Sequence, residues 1–229
     1  MKKNLFDHYD QLNIKLNDIS NSLHDKENKF EKIKILFADP IGIYKYENSF
    51  TQIEKDFINS ATYNKNHSNL ISNNNNVLEN LALTNVKNFI NNSLIDYFKN
   101  VFVPKNNVNI YITESWLNKT TEGKYHHIHN HANSIVSGVF YFNTIKNDKI
   151  TFYKDKPNAP YLRIEPQSFN NYNSSLHSIN VVKKQLVLFS SNIEHEVPKF
   201  NDNDERISLA FNTFVKGDIN NTFTTKLKL

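Results

Sequence analysis

The chain has 229 residues, 38% of them hydrophobic, which suffices for a buried core in one large domain and argues against wholesale disorder. It has no cysteine, which excludes a disulfide scaffold, a thiolate zinc site, an iron–sulfur cluster and a cysteine nucleophile; no apolar run approaches ~18 residues and Met1-Lys2-Lys3-Asn4 opens too polar a start for a signal peptide, so a cytoplasmic protein without a membrane span is expected. The net charge of +4 rests on scattered lysines, with Arg163 and Arg206 the only arginines among 27 basic residues, so nucleic acid is not an expected partner and each arginine marks a place that needs the guanidinium fork.

Residues 4–34 read as a helix. Leu5, Tyr9, Leu12, Leu16, Ile19, Leu23, Phe30 and Ile33 follow steps of four and three, broken at Lys26. This seam fits an amphipathic helix on the main domain or a short coiled coil that makes a homodimer. The chain then divides into a helical extension, 1–34, and a main domain, 35–229. Ile41–Tyr46 alternates as a strand, Phe50–Ala61 fits a helix, Asn73–Asn76 is a polar loop, and Val77–Phe98 carries the apolar face of a second helix.

After Val103-Pro104 the period changes. Val108–Leu117, Ile135–Phe142, Ile150–Tyr153, Tyr161–Glu165, Ile179–Val182, Leu186–Phe189 and Ile207–Val215 are strand-like. Helices followed by strands argue for an α+β fold that is mainly β, with a β-sandwich or jelly roll as its second part.

Four histidines fall within six residues: His126, His127, His129 and His131. On a strand, His127, His129 and His131 would share one side and His126 would take the other. Imidazoles at i and i+2 suit a metal at about 2.0–2.2 Å. Both His127/His129 and His129/His131 have this spacing. His195 follows an apolar strand and a short turn, and is the best third ligand. Without cysteine, such a nitrogen-rich site suits iron(II), zinc, manganese, nickel or copper. Arg206 begins a strand on which Arg206, Ser208, Ala210 and Asn212 share a face, and a guanidinium beside a hydroxyl can cradle a carboxylate. The bland alternative is a salt bridge to Asp204 or Glu205.

These segments resemble the iron(II)- and 2-oxoglutarate-dependent oxygenases, most of all a bacterial and phage branch with a His-x-His motif. The residues that carry the likeness are Trp116-Leu117-Asn118, His129-Asn130-His131, Ser137-Gly138-Val139-Phe140-Tyr141, and His195 with Arg206 and Ser208. The resemblance implies a double-stranded β-helix with helices packed on its outer sheet. It implies iron(II) on His129, His131 and His195, and 2-oxoglutarate as cosubstrate. Arg206 and Ser208 would then hold the far carboxylate, with Asn118, Tyr141 and Asn212 as further cofactor contacts. His131 stands where the wider superfamily has Asp or Glu, which implies a three-histidine site or a second-shell His131. The implied reaction hydroxylates an unactivated C–H bond of a small molecule or protein side chain, releasing succinate and CO2. Two other readings stand beside it: a cupin-like three-histidine dioxygenase that does not use 2-oxoglutarate, and a non-catalytic metal-stabilised binding domain. Gly138 is expected to allow close approach of backbone or cofactor, or simply to serve packing, and the loops Lys146–Asp148 and Asp155–Pro160, with the segment Ser168–Ser178, are expected to border the pocket.

Overall fold

The computed structural model describes residues 38–154, 165–170, 172–201, 204–220 and 226–229. The expected helix over 4–34, its dimer seam, the loop 155–160 and residues 161–164 of the expected strand Tyr161–Glu165 lie outside them. The remainder falls in one compact unit, Asp39–Leu229.

Strand β1 (Gly42–Lys45) leads to helix α1 (Gln52–Ser60), then to a hairpin of β2 (Tyr63–Asn66) and β3 (Asn69–Ser72). Helix α2 spans Thr84–Phe102. The strands β4 (Val108–Thr120), β5 (His126–His129), β6 (Val136–Asn143), β7 (Lys149–Tyr153), β8 (Leu176–Asn180), β9 (Gln185–Ser190), β10 (His195–Val197), β11 (Arg206–Asn220) and β12 (Leu227–Lys228) follow. The larger sheet has the order β1-β9-β6-β11-β4-β3-β2, with β12 on β11, and the smaller one β5-β10-β7-β8. The strand pairings in both are antiparallel. This is the double-stranded β-helix, or jelly roll.

Period-two alternation explains the layers. On β6, Val136, Phe140 and Phe142 join the core under the helices, while Val139 and Tyr141 join the core of the second cluster. On β9, Leu186 and Leu188 go one way and Val187 and Phe189 the other. Val86, Ile90, Leu94 and Tyr97 of α2 complete the first core, so the helices cover the outer face of the larger sheet. Strands buried on both faces read as continuous apolar runs, as these do.

Two local departures from the sequence reading have clear causes. Helix α2 begins at Thr84, not Val77; residues 77–83 form two 3₁₀ turns instead. The Asn80 side chain accepts from Ala82 N–H, and Leu78 N–H donates to Ser115 Oγ on β4. Val77 and Leu78 are buried all the same, which is why their apolar spacing passes for helix. The β2–β3 hairpin is absent from the sequence reading because Tyr63–Asn66 is too polar to signal a strand.

Candidate metal centre

Strands β5 and β10 are neighbours, and His195 is the direct partner of His129 across the ladder. His131 lies just past the end of β5, where its N–H donates to the Ser191 carbonyl at 2.9 Å. These anchors bring one ligand atom each of His129, His131 and His195 within 4.8 Å of one another. His129 Nδ1 lies 2.8 Å from the His127 carbonyl and His195 Nδ1 lies 3.0 Å from the Ile193 carbonyl. A carbonyl only accepts, so each Nδ1 carries the proton and each Nε2 keeps its lone pair. The Nε2 atoms of His131 and His195 are 3.4 Å apart, a span that two bonds of about 2.1 Å cover at roughly a tetrahedral angle. Fixing the outer ring nitrogen on a carbonyl is also how metal-binding imidazoles are oriented.

Burial keeps these rings neutral. Desolvation lowers His195 to about 3 and His131 to about 4, with the neighbouring imidazoles pushing the same way, and it lowers His129 against the pull of its carbonyl bond. His126 is a correction to strict alternation. A register shift between β5 and β10 pairs His195 with His129 but Val197 with His126, and this bulge puts His126 on the cavity wall. Its ring stacks on His129 at 4.4 Å, and burial lowers it to about 3. His127 is exposed and packs edge-on against His67.

The same cavity is walled by Arg206, Ser208 and Ala210 of β11, Asn118 of β4 and Tyr141 of β6. Arg206 is 1% exposed. Its ion pair is with Asp148, at 3.0 Å from Nη2, rather than with Asp204 or Glu205. Nη2 also donates to the Lys149 carbonyl at 3.1 Å, whereas Nε and Nη1 have no partner among the described residues. The buried Tyr141 hydroxyl has none either, and burial raises it to about 12, so it stays a phenol. Unpaired buried donors are costly and call for an acceptor. Three neutral imidazoles beside a guanidinium with two unpaired nitrogens and a phenol without an acceptor therefore fit a divalent metal together with a carboxylate ligand.

Asn212 does not line this cavity. Its Oδ1 accepts from Ser137 Oγ at 2.9 Å and its Nδ2 donates to Glu114 at 2.8 Å, so its amide ties β6 to β4 and β11. Asn118 accepts from Asn69 Nδ2 at 3.3 Å. Gly138 lines the cavity, and packing requires its missing side chain: a Cβ there would sit 2.2 Å from the Phe211 ring. Trp116 lines the cavity, its ring 6.1 Å from that of His131. The sequence reading expected the loop Lys146–Asp148 beside the pocket but missed the pairing of Asp148 with Arg206, and it missed Asn69 and the inward turn of His126. Asp148 and Asn69 occur in polar stretches that look like surface loop, and only their tertiary partners distinguish them.

Residues 114–212 match the profile of a family described as "Putative 2OG-Fe(II) oxygenase". No curated protein matches the chain in sequence. Among solved structures, HygX from Streptomyces hygroscopicus, with nickel and 2-oxoglutarate bound, superposes with a TM-score of 0.55 at 10% identity, over 76% of this chain and 82% of that one. A prolyl hydroxylase from Trichoplax adhaerens, in complex with a hypoxia inducible factor peptide fragment, gives 0.54 at 13% identity, over 77% and 84%. The matched segment runs from β4 to β11 and contains His129, His131, His195, Arg206 and Ser208; over it the chain is similar to the iron(II)- and 2-oxoglutarate-dependent oxygenases, and it shares the jelly-roll fold of the solved structures above.

Proposed function

We propose that this protein is a dioxygenase that hydroxylates an unactivated C–H bond of a small molecule or a protein side chain. The observation that carries the reading is the shared cavity, with three convergent imidazoles and the unpaired donors of Arg206 and Tyr141 among its walls. His129, His131 and His195 would hold iron(II), and Arg206 with Ser208 would hold the distal carboxylate of 2-oxoglutarate. When bound, iron and 2-oxoglutarate supply oxidative decarboxylation to succinate and CO2 and the insertion of an oxygen atom into the substrate.

The chain's own share is binding and orientation. The carbonyls of His127 and Ile193 hold the His129 and His195 rings with Nε2 free. Tyr141 keeps its proton and donates it as a hydrogen bond to a carboxylate oxygen. Asn118, braced by Asn69, orients the cosubstrate from β4. Asn212 positions Ser137 from behind the wall.

The all-nitrogen donor set favours one second reading, a cupin-like three-histidine dioxygenase that takes no 2-oxoglutarate. Product analysis separates the two. The protein with iron(II), 2-oxoglutarate and oxygen should release succinate, and Arg206→Ala should raise the KM for 2-oxoglutarate at least ~10-fold. An oxygenase reaction that runs without 2-oxoglutarate and yields no succinate would favour the second reading.

A further inference from the structure

Asp148 occupies the turn between β6 and β7, Lys146-Asn147-Asp148, which as sequence is an ordinary polar loop. The backbone turns its side chain inward. Asn147 takes a φ of 55°, a left-handed conformation that asparagine tolerates, and the Asp148 carbonyl accepts from Val181 N–H at 2.8 Å. Asp148 ends 4% exposed. Its Oδ1 accepts from Lys149 N–H at 2.9 Å and from Arg206 Nη2 at 3.0 Å, and the Lys149 carbonyl accepts from the same Nη2. One nitrogen of the guanidinium is thus gripped by a side chain and a main-chain carbonyl of a single turn. The Arg206 carbon Cζ lies 5.1 Å from the centre of the Tyr141 ring, which sets the plane from another side.

A carboxylate that only neutralised Arg206 could engage any of its nitrogens. Here a single nitrogen is engaged, and Nε and Nη1 are left for a ligand in the cavity that Arg206 lines. An arginine side chain has several rotatable bonds, so without such a grip its donors would be spread over many rotamers. We propose that Asp148 is a positioning residue, holding Arg206 by Nη2 so that Nε and Nη1 are presented to the distal carboxylate of 2-oxoglutarate. This rests on the assignment of Arg206 to that carboxylate made above. Position, not charge, is the contribution, because a second carboxylate beside an incoming one is repulsive in itself.

The test is the dissociation constant of 2-oxoglutarate for the full-length iron(II)-loaded protein, measured anaerobically by calorimetry, with the melting temperature of each variant as a control for folding. Asp148→Glu keeps the charge and misplaces it, and Asp148→Ala removes both; each should weaken binding about 10-fold or more. Asp148→Asn keeps a carbonyl acceptor in place and should weaken it by about threefold or less. If Asp148→Ala does not fold, the Glu and Asn pair still decides. A folded Asp148→Glu that binds as tightly as the wild type would overturn the proposal, as would equal weakening in Glu and Asn. A wild-type protein that takes iron(II) but no 2-oxoglutarate would overturn the Arg206 assignment itself, and this proposal with it.

Discussion

At the scale of single residues, the centre is defined by what its side chains cannot do when buried. The imidazoles of His126, His131 and His195 are pushed down to about 3, about 4 and about 3, mainly by loss of water. In the unfolded chain they take up a proton near the ordinary value of about 6.5. Below that pH the unfolded state binds more protons than the folded one, so stability falls as pH falls. The metal-free protein should therefore lose unfolding free energy from about pH 6.5 down towards the folded values, a window set by these shifts. Denaturant titrations across that range measure the slope. Replacing His131 and His195 by alanine should make it shallower, and an unchanged slope would show that the rings are not held neutral. The three-histidine set was legible in the spacing of His129 and His131 and in the isolation of His195 after an apolar strand. His126 was not, because one extra residue in β5 overrides the alternation from which its direction is read.

At the scale of elements, the site depends on how closely β6 lies against β11. Gly138 and Phe211 are partners across that ladder. A Cβ at Gly138 would meet the Phe211 ring at 2.2 Å and 2.5 Å and Leu188 at 2.8 Å, contacts that require the sheet or the ring to move. Gly138→Ala should cost about 1–3 kcal/mol of stability, the range for overpacking a tight core. Thermal or denaturant unfolding reads this directly, and Phe211→Leu in the same chain should recover part of the loss because the two sites are in contact. If the two losses simply added, the packing account of Gly138 would fail. Strands such as Leu186–Phe189 were legible because branched and aromatic runs bounded by turn residues have few other readings. The hairpin carrying Asn69 was not, since its ladder is written in Asn, Lys and Ser, and its stability comes from pairing with β4. The first turns of the second helix were misread because buried Val77 and Leu78 supply apolar spacing without helical hydrogen bonds.

At the scale of the whole molecule, one sheet has two tasks. Its outer face buries the helices, and its inner face carries Arg206, Ser208 and Tyr141 towards the strands that hold the histidines. Because β4, β6 and β11 are paired along most of their length, Arg206, Ser208 and Tyr141 sit on a rigid frame. The scarcity of arginine in the sequence pointed to Arg206, but its partner Asp148 became visible only when the β6–β7 turn was seen to fold inward. The claim that joins these parts is that metal and 2-oxoglutarate meet at one centre. Anaerobic titration of the protein with iron(II) and 2-oxoglutarate tests it most directly. A weak visible charge-transfer band should appear only when both are present, and should be lost in His195→Ala. A band that persists in that variant, or that never forms although both components bind, would contradict the account.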